Sequence, residues 1–141
     1  MKVLIDTNVI IDVLAKREPH FKFSFEFLEY CKKELKGFIT TNQTTDIYYL
    51  LCRFNVSSQS AKEVIGKLCD NFKVLDISAI DVKNALDNKI KDYEDALITC
   101  RANRQKIDYI ITRNEKDFKL SEVPALSPKA FLEKFVFSGI F

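Results

Sequence analysis

Short apolar segments that read as buried strands alternate with helix-patterned segments along the chain. The first is Lys2–Ile5 (KVLI), and similar runs follow at residues 37–40 (GFIT), 73–77 (KVLDI) and 109–112 (YIIT). Strands separated by helices pair in parallel, and the helices then cover both faces of the sheet. The alternation therefore predicts an α/β protein with a mostly parallel sheet of four to five strands.

The segments between these strands have helix-compatible spacing of apolar residues. Pro19 is placed in the first turn of a long helix that Gly37 ends. Ser78 and Asp92 are placed as N-caps of later helices. The predicted helices cover residues 9–14, 19–35, 45–54, 58–70, 79–88, 93–105 and 128–135, and a weak strand is predicted at 123–126. We expect a single domain over residues 1–141.

Two residue types are too scarce for several common active sites. His20 is the only histidine, which excludes a histidine-rich zinc site and paired-histidine acid–base chemistry. Three glycines cannot build the phosphate-binding loops of dinucleotide-binding proteins or Walker-type NTPases. No apolar run approaches the ~20 residues of a membrane span, and the N-terminus has no signal-peptide layout, so we expect a cytoplasmic protein. Because histidine-based and glycine-loop sites are excluded, any catalysis must depend on carboxylates.

Aspartates follow several of the predicted strands. Asp6 comes directly after the first strand, and Asp46 lies in the helix after the second. Asp117 follows the fourth strand, and Asp95 lies in the first turn of the helix that precedes that strand. In parallel sheets ligands bind beyond the carboxyl ends of the strands, so these side chains converge if strands one, two and four are neighbours. Carboxylate oxygens are preferred ligands of Mg²⁺ and Mn²⁺, and the pattern predicts a site for such a metal.

Each aspartate taken alone also has a structural interpretation. Asp6 could cap the following helix, Asp46 could be a surface residue, and Asp117 could stabilise a turn. Asp92 and Asp95 form an acidic first turn, which the helix dipole favours without any metal. The joint placement of these residues favours the functional interpretation.

Four segments resemble PIN-domain proteins, in the same order and at suitable spacing. They are LIDTNVIID (residues 4–12), TTNQTTDIYYLL (40–51), DYEDALITC (92–100) and IITRNEKDF (110–118). The combination of LIDTN with TRNxxDF is fairly specific, and the resemblance extends from residue 1 to about residue 135. That family includes the toxin subunits of VapBC-type toxin–antitoxin pairs.

The resemblance implies a three-layer α/β/α fold with strand order 3-2-1-4-5 and an endoribonuclease that depends on Mg²⁺ or Mn²⁺. It also implies an RNA substrate and, for a toxin, an antitoxin protein as partner. The family's catalytic and metal-site acids fall on Asp6, Asp46, Asp95 and Asp117, and its polar supporting positions fall on Thr7, Asn8, Thr112 and Asn114.

One position departs from the family pattern. The family more often has Glu where this chain has Asp46, so the carboxylate is one methylene shorter. Asp92 lies one helical turn from Asp95 and could compensate, so we include it among the supporting residues.

Two further features suggest contacts outside the acidic site. Arg113 is the arginine nearest to the site in sequence and is predicted to bind an RNA phosphate, although a solvated surface position is the alternative. A segment with phenylalanine at every second position (residues 21–27) and the apolar ending FVFSGIF (135–141) favour a homodimer, with core packing as the alternative.

Two other functions remain open from the sequence. A catalytically weak PIN-like nucleic-acid-binding or assembly module is favoured by Asp46. A carboxylate-based phosphatase or receiver domain would also fit an α/β fold. An aspartyl phosphatase, however, requires a DxDxT-like run after the first strand, where this chain has DTNVI.

Overall fold

The first strand lies at the centre of a five-stranded parallel sheet in a computed structural model that describes residues 1–139. The strands are β1 (Lys2–Ile5), β2 (Lys36–Thr40), β3 (Lys73–Leu75), β4 (Tyr109–Ile111) and β5 (Ala125–Leu126). The helices are α1 (Thr7–Leu14), α2 (Phe21–Glu34), α3 (Thr41–Arg53), α4 (Ser58–Asn71), α5 (Ala79–Leu86), α6 (Tyr93–Arg104) and α7 (Pro128–Phe135). Short 3₁₀ helices cover Glu115–Phe118 and Phe137–Gly139.

The strand order is β3-β2-β1-β4-β5, and every neighbouring pair is parallel. In register, Leu4 of β1 lies opposite Phe38 of β2 and Ile110 of β4. Parallel pairing brings the carboxyl ends of β1, β2 and β4 to the same edge of the sheet. The predicted order 3-2-1-4-5 is confirmed, and with it the neighbourhood on which the acidic site depends.

Alternate residues of β1 enter different hydrophobic cores. Val3 and Ile5 join a cluster with residues of α1, α2, α3, α4 and α7, whereas Leu4 joins Ile98 and Ile110 on the other face. All three β1 residues have no exposed surface. Side chains of a strand alternate between the two faces of its sheet, so this burial requires helical layers on both sides.

Several helix boundaries differ from the sequence prediction, and the starts of α3 and α2 have clear physical reasons. Helix α3 begins at Thr41 because Gln43 closes a capping box with Thr40, whose backbone N–H donates to Gln43 Oε1 at 2.8 Å. Helix α2 begins only at Phe21, two residues after Pro19, and it ends at Glu34. Gly37 does not end that helix, because it already lies within β2.

The phenylalanines of residues 21–27 are spread around α2. Phe27 is fully buried, whereas Phe25 is 43% exposed and stacks on Phe21 with ring centroids 5.5 Å apart. Phe135 and Phe137 pack partly buried against the main core, and Ile140 and Phe141 lie outside the described residues. The homodimer stays a prediction.

No helix among the described residues has the length and apolar character needed to cross a bilayer.

Gly37 and Gly66 give a matched pair of variants that tests the packing of β2. A Cβ at Gly37 would lie 2.7 Å from Cδ1 of Phe72 and 2.8 Å from Sγ of Cys31, whereas a Cβ at Gly66 would meet nothing within 4 Å. Gly37→Ala should lower the free energy of unfolding by about 1–3 kcal/mol, the usual cost of overpacking. Gly66→Ala in α4 should raise it by about 0.5–1 kcal/mol, because alanine loses less backbone entropy in a helix. Urea denaturation measures both, and equal stability of the two variants would contradict the packing described at β2.

Candidate active site

Asp6 occupies the junction of β1 and α1, where it is only 8% exposed. Its Oδ1 accepts a hydrogen bond from the Thr7 backbone N–H at 2.8 Å, and its Oδ2 accepts one from Thr112 Oγ1 at 2.7 Å. Burial raises the pKa of Asp6, while the bonds from Thr112 and Thr7 and the charge of Arg113 oppose that shift. Both oxygens are therefore held in a fixed orientation at the end of the central strand.

Thr112 connects the ends of β1 and β4. Besides donating to Asp6, its Oγ1 accepts from Asn8 Nδ2 at 3.4 Å and from the Asn114 backbone N–H at 3.0 Å. Asn8 Oδ1 in turn accepts from the Arg113 backbone N–H at 3.3 Å. The predicted supporting residues Asn8, Thr112 and Asn114 therefore meet in one network beside Asp6.

Gln43 connects the ends of β1 and β2 by hydrogen bonds, and it is not among the residues predicted from the sequence. It is fully buried, and its Nε2 donates to the Ile5 carbonyl at 2.7 Å and to Thr7 Oγ1 at 3.3 Å. Its Oε1 accepts from the Thr40 backbone N–H. Gln43 thus fixes against β1 the start of α3, the helix that carries Asp46 three residues later. A Gln three residues after a threonine N-cap is the signal that could have identified it.

The first turn of α6 brings further carboxylates to the same edge. Asp92 is the N-cap, and its Oδ1 accepts from the Asp95 backbone N–H at 2.9 Å, which confirms the predicted capping role. Asp95 is half-buried, and burial raises its pKa to about 7, with repulsion from Asp6, Asp92 and Asp117 adding to the shift. Asp117 lies exposed in the 3₁₀ helix Glu115–Phe118, close enough to raise the pKa values of Asp6 and Asp95.

Glu94 is the acidic residue that the sequence analysis missed. Glu94 shares a cavity with Asp46, and its interaction with the Asp46 carboxyl is the largest cause that raises the pKa of Glu94 to about 8, followed by burial and by repulsion from Asp46, Asp6 and Asp92. Asp46 Oδ2 is buried and has no hydrogen-bond partner within residues 1–139. Glu94, rather than Asp92, is thus the carboxyl that meets the shortened side chain at position 46. From sequence it resembles any other acid in a first turn, which the helix dipole favours without a further role.

Asp12, also missed from the sequence, holds the arginine closest to the site. It is fully buried and accepts from Arg113 Nε at 2.6 Å, from Arg17 at 3.1 Å and from Ser24 Oγ at 3.2 Å. Because Arg113 is paired with Asp12, its charge is partly neutralised before any ligand arrives. The RNA contact predicted for Arg113 stays a prediction.

The structure brings all four predicted acids to one edge of the sheet: Asp6, Asp46, Asp95 and Asp117. Repulsion among these carboxylates contributes to the raised pKa values of Asp6, Asp95 and Glu94. Within residues 1–139, no group of three or more histidine, cysteine or acidic side chains is already arranged to hold a metal ion. A cation that binds here would therefore require these carboxylates to turn toward it. All the candidate ligands are oxygens, which suits Mg²⁺, Ca²⁺ and Mn²⁺.

Comparison with known proteins places this arrangement in a family. The family model described as PIN domain matches residues 2–116, most of the chain. The chain belongs to the PIN domain family. The expected family and fold are thereby confirmed.

Several known proteins are similar over most of the chain. Ribonuclease VapC1 of Aquifex aeolicus (strain VF5) is 24% identical in an alignment of 139 positions that covers 94% of this chain and 94% of that protein. The structure of VapBC2 from Rickettsia felis, bound to a DNA fragment from its promoter, matches 90% of this chain and 98% of its own with a TM-score of 0.72 and 16% identity. VapC20 of Mycobacterium tuberculosis, a sarcin-ricin loop cleaving toxin, matches 86% of this chain and 98% of its own with a TM-score of 0.67 and 12% identity. These structural likenesses support the fold.

The raised pKa values predict that the metal-free protein becomes more stable as the pH falls from about 8.5 to about 5.5. In the folded protein the pKa is about 8 for Glu94 and about 7 for Asp95, against ordinary values of 4.5 and 3.8. The folded state therefore binds protons that the unfolded state has released, and this contribution to stability is lost as the pH rises through 7 and 8. Urea denaturation in EDTA across this range measures the slope, and Asp95→Asn should reduce it. A stability that is flat or rises with pH would contradict the carboxyl cluster.

Proposed function

We propose that this PIN domain is a metal-dependent endoribonuclease that hydrolyses RNA phosphodiester bonds and acts as the toxin of a toxin–antitoxin pair. The observation that carries the proposal is the crowding of carboxyl groups around Asp6, none of which forms a salt bridge within residues 1–139. Arg113 lowers the pKa of Asp6 by its charge, but Arg113 is already paired with Asp12. Such a cluster is electrostatically unfavourable until a cation binds.

The donor groups fit Mg²⁺ or Mn²⁺. These cations prefer carboxylate oxygens, and Asp46 supplies a buried oxygen without a partner among the described residues. The proposed ligands are Asp6, Asp46, Asp95 and Asp117, with Glu94 supplying the reach that Asp46 lacks. When bound, the metal ion would acidify a water molecule and offset negative charge on the scissile phosphate.

The protein residues contribute orientation and charge. Thr112 and the Thr7 backbone hold both oxygens of Asp6, so this carboxylate keeps its direction in the metal-free protein. Outer hydrogen-bond partners of this kind typically change metal affinity or activity about 10–100-fold when they are removed. At neutral pH, Glu94 and Asp95 retain protons for part of the time, and metal binding would displace these protons.

Similar proteins support the RNA substrate and the antitoxin partner. The Aquifex relative is a ribonuclease, and the Mycobacterium toxin cleaves the sarcin-ricin loop. The Rickettsia protein is a VapBC complex on promoter DNA. We propose an antitoxin that neutralises this chain by placing a basic or blocking segment in the acidic site, within a complex that acts in the cytoplasm and contains a homodimer of this chain.

A catalytically weak nucleic-acid-binding module is the alternative function. Asp46 is shorter than the glutamate usual at this position, and no metal-binding group is preassembled within residues 1–139. RNA binding without cleavage in either metal would favour this alternative.

Purified protein should cleave RNA in Mg²⁺ or Mn²⁺ and stop when EDTA is added. Asp6→Asn should reduce the rate by more than about 100-fold, the upper end of the effect seen for outer partners of a metal site. Asp70→Asn is the matched control, because Asp70 is an exposed aspartate of α4 away from the site, and it should cleave normally. Cleavage that persists in EDTA and in Asp6→Asn would show that the mechanism is wrong.

The two aspartates of the first turn of α6 should behave differently. Asp92→Asn should keep both cleavage and the cap, with a stability cost below ~1 kcal/mol, because asparagine caps a helix about as well as aspartate. Asp95→Asn should lose metal affinity and most cleavage, because a neutral amide neither offsets the charge of the cation nor binds it as well. Glu94→Gln should also weaken metal binding. A metal titration and a cleavage assay on the three variants measure these effects, and a dead Asp92→Asn with an active Asp95→Asn would reverse the assigned roles.

A further inference from the structure

Two cavities of different character lie on either side of the first turn of α6. The larger, of about 560 Å³, contacts the acidic site through Asp92, Asp95 and Asp117. The smaller, of about 290 Å³, contacts it through Asp46 and Glu94. Glu94 and Asp95 are adjacent in sequence, so the two cavities meet at the proposed metal ligands.

Lysines surround the larger cavity. Lys89, Lys91, Lys116 and Lys119 all line it and are exposed. None of these four forms a salt bridge within the described part of the chain, whereas Arg17, Arg104 and Arg113 are each paired with an aspartate. Their charge is therefore available to a polyanion, and they stand beside the proposed catalytic carboxylates rather than among them.

The smaller cavity has an aromatic wall instead. Tyr49 is 65% exposed, and it lines this cavity with Asp46 and Arg53. Residues three and four apart share one face of a helix, so Asp46, Tyr49 and Arg53 form a row along α3. The ring of Tyr48 meets the ring of Tyr49 edge-on, with centroids 5.2 Å apart, and supports it from the side. A large exposed aromatic ring beside an arginine is suited to stacking a nucleobase.

We propose that single-stranded RNA crosses the first turn of α6, with phosphates on one side bound by the four lysines and an unstacked base on the other side stacked on Tyr49. This inference rests on the proposed function, because it places the scissile phosphate between the two cavities. Bases in a duplex are stacked on each other, so a base reaches Tyr49 only from a single strand, loop or bulge. The geometry thus selects for unpaired RNA. It also fixes the orientation of the strand, because the lysines and Tyr49 lie on opposite sides of the scissile phosphate.

Binding can be measured apart from cleavage. The probe is a short fluorescein-labelled single-stranded RNA, titrated in EDTA against protein that carries Asp6→Asn, so that no strand is cut. A second probe carries 2-aminopurine at successive positions, and its fluorescence falls where a base stacks on an aromatic ring. Circular dichroism and thermal melting establish that each variant is folded.

The two sides should give different signatures. Combined Lys116→Ala and Lys119→Ala should weaken binding and reduce the slope of log affinity against log salt by about 0.7 for each phosphate that is no longer neutralised. Tyr49→Ala should weaken binding about tenfold with little change in that slope, and it should abolish the 2-aminopurine signal, whereas Tyr49→Phe should keep both. Lys62→Ala with Lys67→Ala in α4, and Phe25→Ala in α2, are the matched controls on exposed residues elsewhere, and they should bind normally.

The outcomes separate this inference from the proposed function. If RNA binds with these signatures but the wild-type protein never cuts it in Mg²⁺ or Mn²⁺, the proposed path of RNA across α6 stands and the proposed nuclease activity is wrong. If cleavage depends on metal but the salt slope is unchanged in the lysine variant, or the stacking signal is unchanged in Tyr49→Ala, the nuclease activity stands and the proposed RNA path is wrong. Equal affinity for a duplex of the same sequence would also overturn it.

Discussion

The hydrogen bond from Thr112 to Asp6 connects the two central strands at the edge where the site forms. It requires β4 to lie beside β1 in the observed register, with Ile5 opposite Ile111, so that the residues that follow both strands meet. Gln43 makes the corresponding connection between β1 and β2. A shift of one residue in either pairing would exchange the faces of the strands and separate these partners. Such a shift is unfavourable because Val3, Leu4 and Ile5 of β1 are fully buried and would each move to the other face of the sheet. The burial of β1 therefore fixes the positions of the carboxylates.

The clustered carboxyl groups destabilise the fold locally, because they are partly buried and repel each other when ionised. Burial and repulsion between carboxylates raise the pKa values of Asp6 and Asp95, and the interaction with Asp46 followed by burial raises the pKa of Glu94. The folded chain therefore holds groups that would ionise more readily in water. Such an arrangement is common at functional sites. Asp12 shows the contrasting solution, because a fully buried aspartate is satisfied there by Arg17, Arg113 and Ser24. The difference separates a structural carboxylate from a carboxylate available to a cation.

Much of the candidate site follows from pattern alone. Asp6 comes directly after an apolar strand, and Asp92 stands where a helix N-cap is expected, so the sequence is enough to place both at the ends of their elements. Glu94 cannot be recognised in the same way, because an acid in the first turn of a helix has an adequate local explanation. Gln43 has a capping-box signal in the sequence, but nothing local shows its contact with β1, and nothing local shows the arginine partners of Asp12. Their partners are 38 and 101 residues away in sequence in the bonds to Ile5 and Arg113.

The sequence by itself determined the alternation of strands and helices, the residues available for chemistry and the exclusion of histidine-based and glycine-loop mechanisms. Those properties are local, since they depend on periodicity, capping and composition over neighbouring residues. Only the tertiary structure decided that Glu94 faces Asp46, that Arg113 is paired with Asp12 and that Gly37 lies against Phe72 instead of ending a helix. Each of these contacts joins residues from different elements. Its energy depends on packing and desolvation, which arise only when the layers close around the sheet.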